Sequence, residues 1–143
     1  MLKMFPLPAF IERFARRRIV NVALFGNGLS MMEWPHLCAT FWHHHVGFTI
    51  NIVDDPAEAD ILAVHGPLTS GSWPFFQRWI DARAPHAKVI VVGSEIATLG
   101  GRILEPTGRA SAYPADAILP GHPPTPDVLK TSLQALMQGS THV

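Results

Sequence analysis

The sequence predicts an α/β domain built on a largely parallel sheet. Strand-like apolar runs alternate with helical patterns along the chain, which is typical of a parallel sheet flanked by helices. Residues 61–64 and 89–92 are apolar at successive positions, as expected of central strands covered on both faces. A chain of 143 residues, 48% of them hydrophobic, is long enough to bury one core.

Each element has its own signal. Short apolar runs predict strands at residues 19–24, 48–53, 60–64 and 88–92. Amphipathic periodicity predicts helices at residues 31–45, 73–82 and 127–137. Residues 100–124 are rich in proline and glycine, and we expect them to form one long loop with a short strand at residues 116–119.

Residues 1–18 are predicted to form a basic amphipathic segment ahead of a single domain at residues 19–143. Phe10, Ile11 and Phe14 make an apolar stripe in a segment that also holds four arginines. Such a segment suits an anionic membrane surface or a partner subunit. It equally suits packing of its stripe onto the domain itself, so both interpretations stay open.

Charge and cysteine content exclude several classes of protein. The formal net charge is zero, so no overall basic field favours nucleic acid. Cys38 is the single cysteine, which excludes an intrachain disulfide and a conventionally ligated [4Fe–4S] cluster. No signal peptide is apparent, and no apolar run approaches the roughly 20 residues that span a bilayer. We therefore expect a cytoplasmic or peripheral protein.

Three segments carry a resemblance to a known family: ADILAVHGPLT at residues 59–69, KVIVVGSE at 88–95 and PGHPPTPD at 120–127. Their order and spacing resemble the small-subunit family shared by respiratory complex I, an NADH:ubiquinone oxidoreductase in which it is the 20 kDa subunit, and the membrane-bound nickel–iron hydrogenases. The resemblance covers about residues 20–138. It implies a flavodoxin-like, three-layer fold and a cluster-bearing subunit docked between a larger catalytic subunit and a membrane arm.

This sequence departs from the family at its cluster ligands. The resemblance places cysteines at Glu95 and His122, and a further cysteine pair at Leu29 and Ser30, or at Asn27 and Ser30 on the hydrogenase spacing. None of these residues is a thiol. Cys38 falls on no ligand position, so we expect these residues to be former cluster-ligand positions without an iron–sulfur cluster.

The loops that follow the strands bring a different donor set to the same crevice. His65, Glu95 and His122 together offer two imidazoles and one carboxylate, which with water can hold zinc. In the other interpretation the vacated pocket is filled by packed polar side chains, with Glu95 and His122 paired with each other or with Arg102. The sequence allows both.

The resemblance predicts a cluster-less structural small subunit of a complex I-like or group 4 hydrogenase-like assembly. It would bridge a large-subunit homologue and a membrane arm of antiporter-like subunits, at the inner face of the cytoplasmic membrane, and would not be catalytic alone. Aromatic residues within 31–42 and 73–76 would supply the interface. One alternative is a zinc-dependent hydrolytic or hydrating enzyme that uses His65, Glu95 and His122. In another, clusters in other subunits carry the electrons and bypass this one.

Overall fold

The structure is a computed structural model, and it describes residues 18–26, 34, 48–93, 95–119 and 126–137. In chain order the described elements are β1 (Arg18–Phe25), β2 (Phe48–Val53), a 3-10 turn (Pro56–Glu58), β3 (Ile61–His65), α1 (Trp73–Asp81), β4 (Lys88–Val92), β5 (Thr98–Leu99), β6 (Arg102–Leu104), β7 (Ala110–Pro114), β8 (Ala117–Leu119) and α2 (Pro126–Met137). The predicted segment 1–18 (apart from Arg18) and most of the predicted helix 31–45 lie outside the described residues.

Five strands form one parallel sheet in the order β2-β1-β3-β4-β8. This is the strand order of the flavodoxin-like doubly wound folds, with β8 as the fifth strand. The fold class predicted from the alternating pattern is therefore confirmed. The predicted strand at 116–119 is also confirmed, because β8 pairs with β4 and completes the sheet.

The two faces of the sheet bury separate cores, which makes three layers. Val20, Val22 and Ile50 face a core that includes Trp34 and, from α2, Leu133. On the opposite face, Ala23 and Leu62 pack with side chains of α1. Alternate residues of one strand enter opposite cores because strand side chains alternate with a period of two. The apolar runs of the central strands are explained by this double coverage.

Residues 98–114 form a second, antiparallel sheet in the order β5-β6-β7, so the prediction of one long loop is wrong. Gly100 and Gly101 adopt positive φ angles of 58° and 75° at the turn between β5 and β6. This sheet packs on α1: the ring of Tyr113 lies 5.6 Å from that of Phe76, edge to face, and Ile103 is fully buried. Strands of two to five residues, punctuated by glycine, carry too weak a pattern to be recognised.

Aspartates organise the strand starts at the amino edge of the main sheet. Asp60 accepts a hydrogen bond from the backbone N–H of Asn21 through Oδ2 (2.9 Å). Asp116 accepts one from the backbone N–H of Val89 (2.7 Å). These bonds join the starts of β3 and β8 to neighbouring strands. Among the described residues, no helix is long and apolar enough to cross a membrane.

Candidate site at the carboxyl edge of the sheet

The loops that leave β1, β3 and β4 meet at the carboxyl edge of the main sheet. Gly26 follows β1 with a φ of 109°, and a Cβ there would collide with the carbonyl oxygen of His65. Gly66 follows β3, and its Cβ would lie 2.8 Å from the Cβ of Glu95 and 2.7 Å from Cγ1 of Ile96. Only glycine permits these approaches, so the loop starts are held against one another.

His65 lies at the end of β3 and is completely buried. Its Nε2 accepts a hydrogen bond from the indole Nε1–H of Trp34 (2.9 Å). Since indole only donates, Nε2 carries no proton; the proton is therefore on Nδ1, which donates to the carbonyl oxygen of Phe25 (3.2 Å). Burial lowers the pKa of His65 to about 4, outweighing the backbone hydrogen bonds that raise it. His65 is therefore a neutral imidazole at neutral pH.

The zinc prediction involves three residues that the structure treats differently. Both ring nitrogens of His65 are occupied by hydrogen bonds, so metal ligation would cost the bond from Trp34. Glu95 is exposed at the same edge, and His122 lies outside the described residues. Within the described ranges, no three His, Cys, Asp or Glu side chains are grouped to hold an ion. The zinc site remains a prediction.

The hairpin of β6 and β7 adds a wall to this edge that the sequence did not reveal. A cleft of about 260 Å³ is lined by Leu68, Glu95, Ile96, Ala97, Leu104 and Glu105. A smaller cleft of about 150 Å³ is lined by Ser70, Trp73, Pro74 and Thr107. Glu105 and Pro106, at the tip of the hairpin, border both clefts. The loop at the expected cysteine position of Glu95 therefore opens onto a cleft that the second sheet completes.

The residues present do not fit a [4Fe–4S] cluster. Such clusters are normally held by four thiolates, and the whole chain contains one cysteine. Glu95, at an expected ligand position, presents a carboxylate. The other expected positions, Asn27, Leu29, Ser30 and His122, lie outside the described residues and are not cysteines.

The aromatic residues expected at an interface divide into two groups. Trp34 and Phe76 are buried in the two cores and cannot contact a partner. Phe75 is 61% exposed, with the Arg78 guanidinium 5.1 Å from its ring centroid. Trp73 is half-buried and packs on Phe76 with ring centroids 5.1 Å apart. The apolar surface available on α1 is therefore smaller than the sequence suggested.

The fold and this edge define a flavodoxin-like α/β protein with closely packed loops after β1, β3 and β4. No family model matches the chain. Over 91 residues the chain is 33% identical to an uncharacterised protein of Methanocaldococcus jannaschii, covering 61% of each protein. Over 91 residues it is also 29% identical to the B subunit of NADH-quinone oxidoreductase from Clostridium beijerinckii, covering 61% of this chain and 53% of that protein.

Among solved structures, the chain is similar to a chain of the membrane-bound sulfane sulfur reductase, an archaeal respiratory membrane complex. The TM-score is 0.64 at 17% identity, covering 92% of this chain and 75% of that one. At this identity the likeness shows the shared fold. The matched region spans 61% and 53% of the two curated relatives, and the predicted resemblance to the 20 kDa subunit of complex I is supported as a distant similarity.

Proposed function

We propose that this chain is a structural small subunit of a complex I-like or group 4 hydrogenase-like membrane assembly, and that it carries no iron–sulfur cluster. It would bridge a large-subunit homologue and a membrane arm with antiporter-like subunits, as a peripheral component at the inner face of the cytoplasmic membrane. It would not be catalytic alone. The distant similarity to an NADH-quinone oxidoreductase subunit and the fold shared with a chain of a respiratory complex support this setting.

One observation carries the structural role: the carboxyl-edge loops are tightly packed although an expected cluster ligand among them, Glu95, is not a thiol. Gly66 contacts Glu95 and Ile96, and Gly26 contacts His65, at distances that exclude any side chain. Close packing of backbone fixes the shape of a surface without supplying chemistry. A loop surface kept in shape without its redox ligands is the expected property of a docking subunit.

The buried pair of His65 and Trp34 supports the same conclusion. A histidine that served as a general base or a ligand needs a nitrogen free to reach a proton or an ion. Here one nitrogen binds Trp34 and the other binds the backbone of Phe25. The arrangement ties β1, β3 and Trp34 together, which is a structural use of the side chain.

The test is recovery of partners by the tagged chain from gently solubilised membranes of its native host. We expect a large-subunit homologue and antiporter-like subunits to be recovered with the wild-type chain. Gly66→Ala should lose them, because a Cβ there displaces Glu95 and Ile96. Gly71→Ala is the matched control, because its Cβ would meet nothing closer than 3.8 Å. A monodisperse chain with no membrane-associated partner would contradict the proposal.

A zinc-dependent hydrolytic or hydrating site at His65, Glu95 and His122 is the second candidate. The observation that favours it is the close approach of the loops carrying His65 and Glu95 through Gly66. The two hydrogen bonds of His65 weigh against it. Metal analysis of the purified chain separates this candidate from the structural role.

A further inference from the structure

The larger cleft beside Glu95 has fixed walls. On one side, Gly66 holds the backbone of Glu95 and Ile96 at its closest approach. On the other, the hairpin tip is closed by a hydrogen bond from the Glu105 N–H to the Arg109 carbonyl (2.7 Å) and one from the Gly108 N–H to the Glu105 carbonyl (2.9 Å). A preorganised cleft of this kind loses little conformational entropy when it is filled.

The charges around the cleft have one sign. Glu95 and Glu105 both line it, and among the described residues neither this cleft nor its smaller neighbour is lined by lysine or arginine. The guanidinium of Arg102, in the adjacent strand β6, donates to the carbonyl of Ala112 (3.2 Å). The cleft therefore offers negative charge between apolar walls, which include Leu68 and Leu104.

The arginines of the chain's own N-terminal segment are placed at the wrong edge. Strand β1 begins at Arg18 and has eight residues, so at about 3.3 Å per residue its ends are separated by about 26 Å. Arg13 is five residues before the strand, a reach of about 17 Å even when fully extended. Neither it nor the arginines between it and β1 can cross from the amino edge to the carboxyl edge where the cleft lies. A cation for this cleft must come from another molecule.

The size of the cleft indicates the kind of occupant. About 260 Å³ is below the roughly 300–1,000 Å³ of pockets that enclose small-molecule ligands or cofactors. Among the described residues no third metal-ligating side chain joins Glu95 and Glu105. A guanidinium is planar, donates to two carboxylates at once, and tolerates apolar surroundings better than an ammonium group. Arginine is also enriched at protein interfaces.

We propose that the cleft between Glu95 and Glu105 seats an arginine side chain of a partner protein. The chemistry follows from the cleft alone; only the identity of the partner, another subunit of the same assembly, rests on the proposed function. Leu68, Ile96 and Leu104 would contact the methylene stem while the two carboxylates accept from the guanidinium. The contact would fix the register of a partner on the carboxyl edge of the sheet.

The experiment titrates the isotope-labelled full chain with the capped tripeptide acetyl-Leu-Arg-Leu-amide and follows backbone amide NMR shifts. We expect shifts confined to Glu95, Ala97 and Gly108, and their neighbours, with a dissociation constant in the millimolar range. A peptide with citrulline in place of arginine keeps the shape and removes the charge. It should bind about tenfold more weakly, because two exposed charge pairs each contribute up to about fivefold.

Variants of the chain separate charge from shape. The double variant Glu95→Gln, Glu105→Gln should lose about tenfold in affinity for the arginine peptide. Ala97→Phe should also lose binding because it fills the cleft while keeping both carboxylates. Glu58→Gln is the matched control, since Glu58 is exposed and lines neither cleft. Thermal unfolding of each variant verifies that the fold is intact.

Three results would overturn the proposal: equal affinity for the citrulline peptide, unchanged affinity in the double glutamine variant, or an absence of shifts at the cleft. Each leaves the proposed function standing, because that function is tested by partner recovery and iron content. Conversely, an iron-bearing chain that still binds the arginine peptide at this cleft would remove the proposed function and keep the docking site.

Discussion

Replacing the buried His65 with glutamine should remove a defined part of the pH dependence of folding. In the folded chain burial lowers the pKa of His65 from 6.5 to about 4. The folded state therefore stays neutral where the unfolded state takes up a proton. The stability that results is fully present above about pH 6.5 and is lost as the pH falls towards about 4, because the unfolded chain binds more protons in that window.

The magnitude follows from the two pKa values. Between about pH 7.5 and about pH 5, proton uptake by His65 in the unfolded state should lower the free energy of unfolding by about 2 kcal/mol. Glutamine does not titrate, so the His65→Gln variant should lack this contribution. Its free energy of unfolding at neutral pH should also fall by about 1–3 kcal/mol, because the hydrogen bonds with Trp34 and Phe25 are imperfectly replaced.

The assay is urea unfolding of both chains at the two pH values, followed by circular dichroism. The wild type should lose about 2 kcal/mol more than His65→Gln between them, through the linkage described above. His86→Gln is the matched control: it removes an exposed imidazole, leaves the buried pair intact, and should retain the wild-type loss. If His65→Gln loses as much stability as the wild type on acidification, the buried neutral histidine is refuted.

Three further outcomes are expected. Gly26→Ala should cost more than about 2 kcal/mol by denaturant unfolding, because it adds a backbone collision to an unfavourable φ, whereas Gly100→Ala, with a φ of 58° and open space around it, should cost only about 1 kcal/mol; equal costs would contradict the close packing at the sheet edge. Asp116→Ala should destabilise by about 1–2 kcal/mol through loss of the bond from the Val89 N–H, and Asp116→Asn should restore most of it, since its oxygen still accepts; no rescue by asparagine would count against the bond. If the zinc site exists, chelation should lower the thermal unfolding temperature and His122→Ala should abolish that effect, whereas less than about 0.1 equivalent of metal with no response to chelation would favour the packed polar pocket.

The main sheet could be predicted because its strands are buried on both faces. The predicted strands 48–53 and 88–92 coincide with β2 and β4, and the predicted helix 73–82 ends one residue beyond α1. Continuous apolar runs bounded by turn residues are a strong local signal. The β5-β6-β7 sheet has no such run, and its glycine-rich turns have the composition of a loop.

The site was less predictable because its partners are distant in the sequence. The sequence pattern predicts that His65 faces the crevice as a ligand, yet its ring is buried against Trp34, which is 31 residues away. The cleft depends on Glu105, which reaches Glu95 only through the packing of the second sheet on α1. Residue types indicate where polar side chains gather; only the tertiary structure shows which of them are buried and which line the cleft.

The most direct test is the iron and acid-labile sulfide content of the chain, expressed and purified without oxygen. The proposal predicts a colourless protein without stoichiometric iron, because one cysteine cannot hold a cluster. A variant with Leu29→Cys, Ser30→Cys, Glu95→Cys and His122→Cys is the matched comparison, since it restores a thiol at every expected ligand position. A brown wild-type chain with about four irons, the content of one [4Fe–4S] cluster, would contradict the central claim.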